Sequence, residues 1–188
     1  MAAFFSDLRN TVAAGAAIAA LLFVLYAAVQ GYDATTFWPF LIRWLHVLCG
    51  VMWIGLLWYF NFVSTPTQPA ALFWFRWAAM GTIVFGIILA QLNGYLLQAY
   101  TLGASEEFAV PKDIGIGAGM WLGTIMWFNV WFLIWPNQQK ALNVGGKHPN
   151  LPAEEKEAAA KTAGLFGRVN TMLSLPMLFA MVAAQNIY

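Results

Sequence analysis

Two histidines, His46 and His148, are the side chains of this sequence best suited to ligate a metal or to exchange a proton near neutral pH. His148 lies in a polar stretch among lysines and glutamates, whereas His46 lies in the uncharged run WLHVLCGVMWIG. On a helix His46, Gly50 and Trp53 fall at i, i+4 and i+7 and share one face. A histidine beside a glycine suits a planar macrocycle, offering a nitrogen for the iron and a missing side chain for the ring. Arg43, one turn outward, can pair with a propionate. The pattern therefore proposes His46 as a metal ligand and Arg43 and His46 as a cofactor site for a b-type haem. A histidine hydrogen-bonded to a neighbouring Gln or Asn is the other reading. The second axial ligand would be a methionine such as Met120, a residue of another subunit, or none. No CxxCH occurs, so no c-type haem is attached, and the single cysteine, Cys49, forms no intrachain disulfide.

Other polar residues interrupt apolar stretches, and each such interruption is costly in a membrane and suspect as functional. Followed along alternating helices they sort into two layers. Arg43, His46, Gln91 and Asn93 fall toward one surface, and Asn61, Arg76, Asn129, Arg168, Asn170, Thr171 and Ser174 toward the other. Asn170, Thr171 and Ser174 share a helix face, so Asn61, Asn129 and Asn170 are expected to converge, with Arg168 closing the mouth. Such a layer serves either as a small polar substrate site or as interhelical hydrogen bonding.

The elements that must position these residues are membrane spans. The chain is 61% hydrophobic and only 9% charged, against about 25% charged residues in ordinary soluble domains. A spanning helix needs about 20 apolar residues. The sequence predicts an all-α integral membrane bundle of about five such helices in a single domain, at about 11–29, 38–63, 74–97, 114–135 and 169–187. The first run is longer than the roughly 7–15 residues of a secretory signal core and reads as a retained anchor. Pro136 is expected to stop the fourth span, because proline cannot continue a helix. Residues 136–168 then form a polar connector, with PAEEKEAAAK as a short surface helix. Glycines at Gly115, Gly119 and Gly123 give the fourth span a small-residue stripe for close helix packing within the bundle or against a second copy.

Charge sets the expected orientation. With five spans Arg9, Arg76, Lys140, Lys147, Lys156, Lys161 and Arg168 share one side, and Arg43 and Lys112 lie on the other. The positive-inside rule puts the N-terminus and the 136–168 connector in the cytoplasm and the C-terminus outside. A net charge of +1 offers no basis for nucleic-acid binding. The partners implied are the lipid bilayer and other membrane subunits or a cytochrome c.

LHVLCGVMWIGLLWYFNFV, MWFNVWFLIWPNQQK and GRVNTMLSLPMLFAMVAA occur in this order over roughly residues 40–187. Together they resemble the membrane domain of the bacterial membrane-bound urate oxidase (urate hydroxylase) family. FNVW…WPNQ and R-x-NT-x-LS-x-PM are unusual strings and carry the resemblance. It implies a shared helical scaffold in a bacterial inner membrane and a periplasmic C-terminus. It also implies functional weight at Asn129, Arg168, Asn170, Ser174 and Pro176, and an oxidoreductase acting on a small heteroaromatic substrate. Family members with that activity have a longer membrane portion and a C-terminal cytochrome c domain, so this sequence reads as a truncated form that would pass electrons to a separate cytochrome. No span holds a carboxylate to act as base, and no flavin motif is present. The alternative is a non-catalytic accessory subunit of a larger respiratory, photosynthetic or oxygenase complex. A transporter is disfavoured, because no inverted repeat is visible.

Overall fold

Hydropathy and helix-terminating chemistry together dictate six helices, and a computed structural model describes them over Phe4 and residues 6–187. In chain order they are α1 (Leu8–Gln30), α2 (Ala34–Phe62), α3 (Pro69–Leu92), α4 (Leu96–Tyr100), α5 (Pro111–Leu142) and α6 (Ala153–Asn186). No strand occurs among the described residues. All but the five-residue α4 are long and apolar enough to cross a membrane. Tyr188, expected on the outer side, lies outside the described residues.

The chain divides into two compact units between Trp38 and Pro39, where the sequence reads as one domain. The first holds α1 and the opening of α2. There Asp33 accepts hydrogen bonds from the Thr35 and Thr36 hydroxyls at 2.6 and 2.7 Å, which hold its carboxyl below the ordinary aspartate value. The second unit, from Pro39 onward, holds the remaining helices. Its core joins Trp53 and Leu57 of α2, Phe75 and Ala79 of α3, Met126, Val130 and Ile134 of α5, and Ala163 and Met177 of α6.

The ends of several helices differ from the sequence reading, each for a local reason. α3 starts with Pro69 in its first turn, a position where the missing N–H is no loss. It ends at Leu92 rather than residue 97, because the Asn93 side chain takes the Leu89 carbonyl at 2.7 Å and Gly94 turns through a positive φ of 76°. Pro136 does not stop α5. Residues Asn129–Ile134 widen into a π-helical segment, in which the Trp135 N–H reaches the Val130 carbonyl five residues back. That widening accommodates a ring that would clash with the carbonyl four residues earlier in an α-helix. Asn137 satisfies the Leu133 carbonyl through its side chain at 2.7 Å, and the helix runs on to Leu142.

The expected connector over 136–168 is therefore mostly helix. α6 begins at Ala153 and runs unbroken for 34 residues, so the predicted surface helix and the predicted last span are one element. The segment before Arg168 is rich in alanine and contains no proline, and its two glycines, Gly164 and Gly167, are carried within the helix, so nothing separates the two.

Close contacts at glycines set the helix spacings. Gly117 of α5 lies against the Ala99 carbonyl of α4, and a Cβ there would run into that oxygen. Gly119 meets Ala180 and Met181 of α6, with 3.3 Å between each side chain and an added Cβ, so this part of the stripe is used inside the bundle. At Gly123 the nearest atom to an added Cβ is Ile83 Cδ1 at 4.0 Å. Gly117→Ala is expected to lower the unfolding free energy by about 1–3 kcal/mol through overpacking, and Gly123→Ala to be neutral or stabilising. Equal effects of the two, measured by denaturant unfolding in micelles, would contradict these assignments.

Candidate functional site

The two larger cavities of the second unit lie one near each end of the helices, separated by a polar layer. The groove at the His46 end has a volume of about 680 Å³. Its walls come from Arg43, His46, Gly50, Trp53 and Trp58 of α2, Thr82 and Gly86 of α3, Tyr95, Ile116 and Met120, and Met177 and Met181 of α6. This size lies within the range of small-molecule and cofactor sites, roughly 300–1,000 Å³.

His46 is fixed by its neighbours. Its Nδ1 lies 2.9 Å from the Thr82 carbonyl, which can only accept, so Nδ1 carries the proton and Nε2 is left as the basic nitrogen. The ring packs on Gly86, where an added Cβ would lie 3.0 Å from Cε1. The glycine that admits His46 is thus Gly86 of the neighbouring helix. Gly50, which the sequence pairs with His46, faces Thr82 at 3.9 Å, and Gly55 has open space in front of it. One turn along, Cys49 packs on Gly81, with 2.7 Å between Sγ and an added Cβ. Arg43 is exposed at the rim and Tyr95 lines the groove beside it. Burial raises the pKa of the Tyr95 phenol, so it remains a neutral hydroxyl at physiological pH.

The polar layer comes next along the helices. Asn129 Nδ2 donates to Asn170 Oδ1 at 2.8 Å, and Asn170 Nδ2 donates to the Met126 carbonyl at 2.9 Å. Asn170 is fully buried and Asn129 nearly so. Ser174 joins a third helix to this level, accepting from Trp58 Nε1 at 2.9 Å and donating to the Thr171 carbonyl at 2.7 Å. Asn61 does not join the pair. Its Nδ2 bonds back to the Leu57 carbonyl at 2.8 Å and its side chain rests on Gly167. The expected three-way convergence is therefore a closed two-residue pair, and Asn61 belongs with the inner cavity.

That inner cavity, about 360 Å³, is lined by Leu57, Phe60, Asn61, Thr65, Phe75, Ile134, Gln138, Gly164, Gly167 and Arg168. Arg168 stands exposed at its edge and is separated from the asparagine pair. Gln138 is the residue the sequence reading missed, because it lies beyond Pro136 in what was expected to be connector.

Arg76 also lies apart from the asparagines. Its guanidinium sits 3.8 Å from the Trp135 ring centroid and 5.2 and 5.7 Å from those of Trp131 and Trp77. Cation–π attraction of this kind strengthens when the charge is desolvated, which accounts for an arginine within a span.

Comparison with protein-family models, with characterised proteins and with solved structures gave no match. The functional reading therefore rests on the two cavities and the layer between them. Replacing Asn170 by Ala leaves the Asn129 side-chain amide without its partner in the interior, while the Met126 carbonyl keeps the Asn129 backbone N–H, an expected loss of about 1–3 kcal/mol. Asn61→Ala removes only a bond to its own helix and is expected to cost less than about 1 kcal/mol. Unfolding of both variants in micelles checks this order, and an Asn61 loss matching that of Asn170 would count against a closed pair.

Proposed function

We propose that this protein is a membrane electron-transfer component of the urate-oxidase-like kind, with a b-type haem in the His46 groove and His46 as its iron ligand. The supporting observation is the state of His46, whose Nδ1–H is held by the Thr82 carbonyl within a large, mostly apolar groove. Metal-ligating histidines are commonly oriented in this way, with the second nitrogen committed to a carbonyl. Among the described residues no group of three or more His, Cys, Asp or Glu side chains could hold a metal ion. A metal at His46 would therefore need further ligands from outside this chain, and a porphyrin would supply them. Met120, Met177 and Met181 line the same space and would offer a thioether beside the His46 imidazole. Arg43 and Tyr95 would supply donors at the rim for propionates, and Gly55, with open space in front of it, would leave room for the ring. A bound haem would supply one-electron chemistry, while the chain fixes the ligand tautomer and keeps water from the apolar faces.

In this reading the protein lies in a bacterial inner membrane, with the α5–α6 connection cytoplasmic and the C-terminus periplasmic. Electrons pass to a separate cytochrome c on the periplasmic side, the side of the His46 groove. A second reading, an accessory subunit of a larger membrane complex, draws on α1, none of whose 23 residues is buried.

The purified chain, expressed with haem precursors, is expected to show a Soret band that His46→Ala abolishes with helical content retained. A colourless wild-type protein ends the haem proposal and favours the accessory reading. Reporter fusions are expected to place residues 143–152 in the cytoplasm, and periplasmic labelling of that segment would reverse the orientation.

A further inference from the structure

We infer that the inner cavity is a separate binding site for a small amphiphilic anion, a charged head joined to an apolar body, with Gln138 and Arg168 as its polar contacts. Gln138 is the central observation. Only 8% of it is exposed, it lines the cavity, and its carboxamide has no hydrogen-bond partner among the described residues. The amide is not sealed off: its polar atoms reach the cavity, which is the place where water or a ligand can meet them. A ligand oxygen accepting from this amide takes the place of cavity water on a donor that no protein group uses.

The charge of the head follows from Arg168. It stands exposed at the edge of the cavity, takes part in no ion pair among the described residues, and no carboxylate lines the space with it. Asn61 has its Nδ2 committed to the Leu57 carbonyl, and Thr65 adds a hydroxyl near the rim. The body follows from the walls. Phe60 and Phe75 meet edge to face with centroids 5.5 Å apart, and Ile134 and Leu57 continue the apolar surface. At about 360 Å³ the cavity holds a ligand of only modest size.

The Asn129–Asn170 and Trp58–Ser174 hydrogen bonds lie between this cavity and the His46 groove along the helices, so the site stands whether or not iron binds at His46. The same chemistry is offered by a free organic acid and by the head of an anionic lipid.

The full chain in phosphatidylcholine nanodiscs, titrated with benzoate and with hexanoate, separates these sources. If the ligand is a free acid, at least one of the two binds by calorimetry and raises the Tm, and neutral benzamide binds more weakly. Gln138→Met and Arg168→Gln then each weaken binding about tenfold, as expected for a lost hydrogen bond to a charged group. Without ligand, Gln138→Met has an unchanged or raised Tm, because no hydrogen bond to another protein group is lost. If the ligand is a lipid, the acids are inert, phosphatidylglycerol raises the Tm, and both variants lose that gain. The proposal is overturned if neither acids nor phosphatidylglycerol act, if both variants retain the response, or if benzamide equals benzoate. A lowered ligand-free Tm for Gln138→Met also overturns it, since the amide would then be structural. Arg168, being exposed, provides a variant whose folding is not at issue.

Discussion

One hydrogen bond between two asparagines organises the second unit. Asn129 and Asn170 come from the middles of two long apolar helices and meet at 2.8 Å, with the Met126 carbonyl taking the remaining amide. No water is available at such depth, so each side chain needs the other, and the rotation of α5 against α6 is restricted to settings that bring them together. Ser174, one turn from Asn170, extends the constraint to α2 through Trp58. With those three helices keyed at one level, the apolar surfaces on either side are left to enclose space.

On the His46 side the enclosure depends on a different kind of contact. α2 approaches α3 through side chains seated on glycines, Cys49 on Gly81 and His46 on Gly86. Seating brings the imidazole within reach of the Thr82 carbonyl, and that single bond selects the tautomer. Thr82 Oγ1 meanwhile bonds to Ala78 within its own helix, so only the carbonyl is offered to His46. The chemistry available in the groove is thus set by backbone and by absent side chains rather than by a cluster of polar groups.

How far this could be read from the sequence varies with the physical origin of each feature. The five spans are legible because length and hydropathy alone define them. Asn129 and Asn170 were legible as partners because an amide in hydrocarbon has so few alternatives. Asn61 was not, because it is the penultimate residue of α2 and can bond back to its own helix. His46 was legible as an inward imidazole, and it is half-buried, but its glycine partner lies on another helix, beyond the reach of i, i+4 spacing. Proline rules hid the rest. Reading Pro136 as a stop consigned Gln138 to a connector, and the π segment that carries the helix past it leaves no mark in a hydrophobic pattern.

That segment has a further consequence for register. A π turn amounts to one additional residue in a helix, and one residue corresponds to about 100° of rotation about the helix axis. Everything in α5 after Ile134 is therefore phased differently from everything before Asn129. Upstream, the helix turns Met120 and Met126 inward, and downstream it turns Gln138 toward the cavity that Arg168 borders. A straight α-helix of the same composition, one residue shorter between Asn129 and Ile134, would keep the asparagine pair but swing the Gln138 carboxamide about a quarter turn away. The two ends of α5 are in this sense independently addressed faces of one rod, and the MWFNVWFLIWPNQQK string spells out the offset between them.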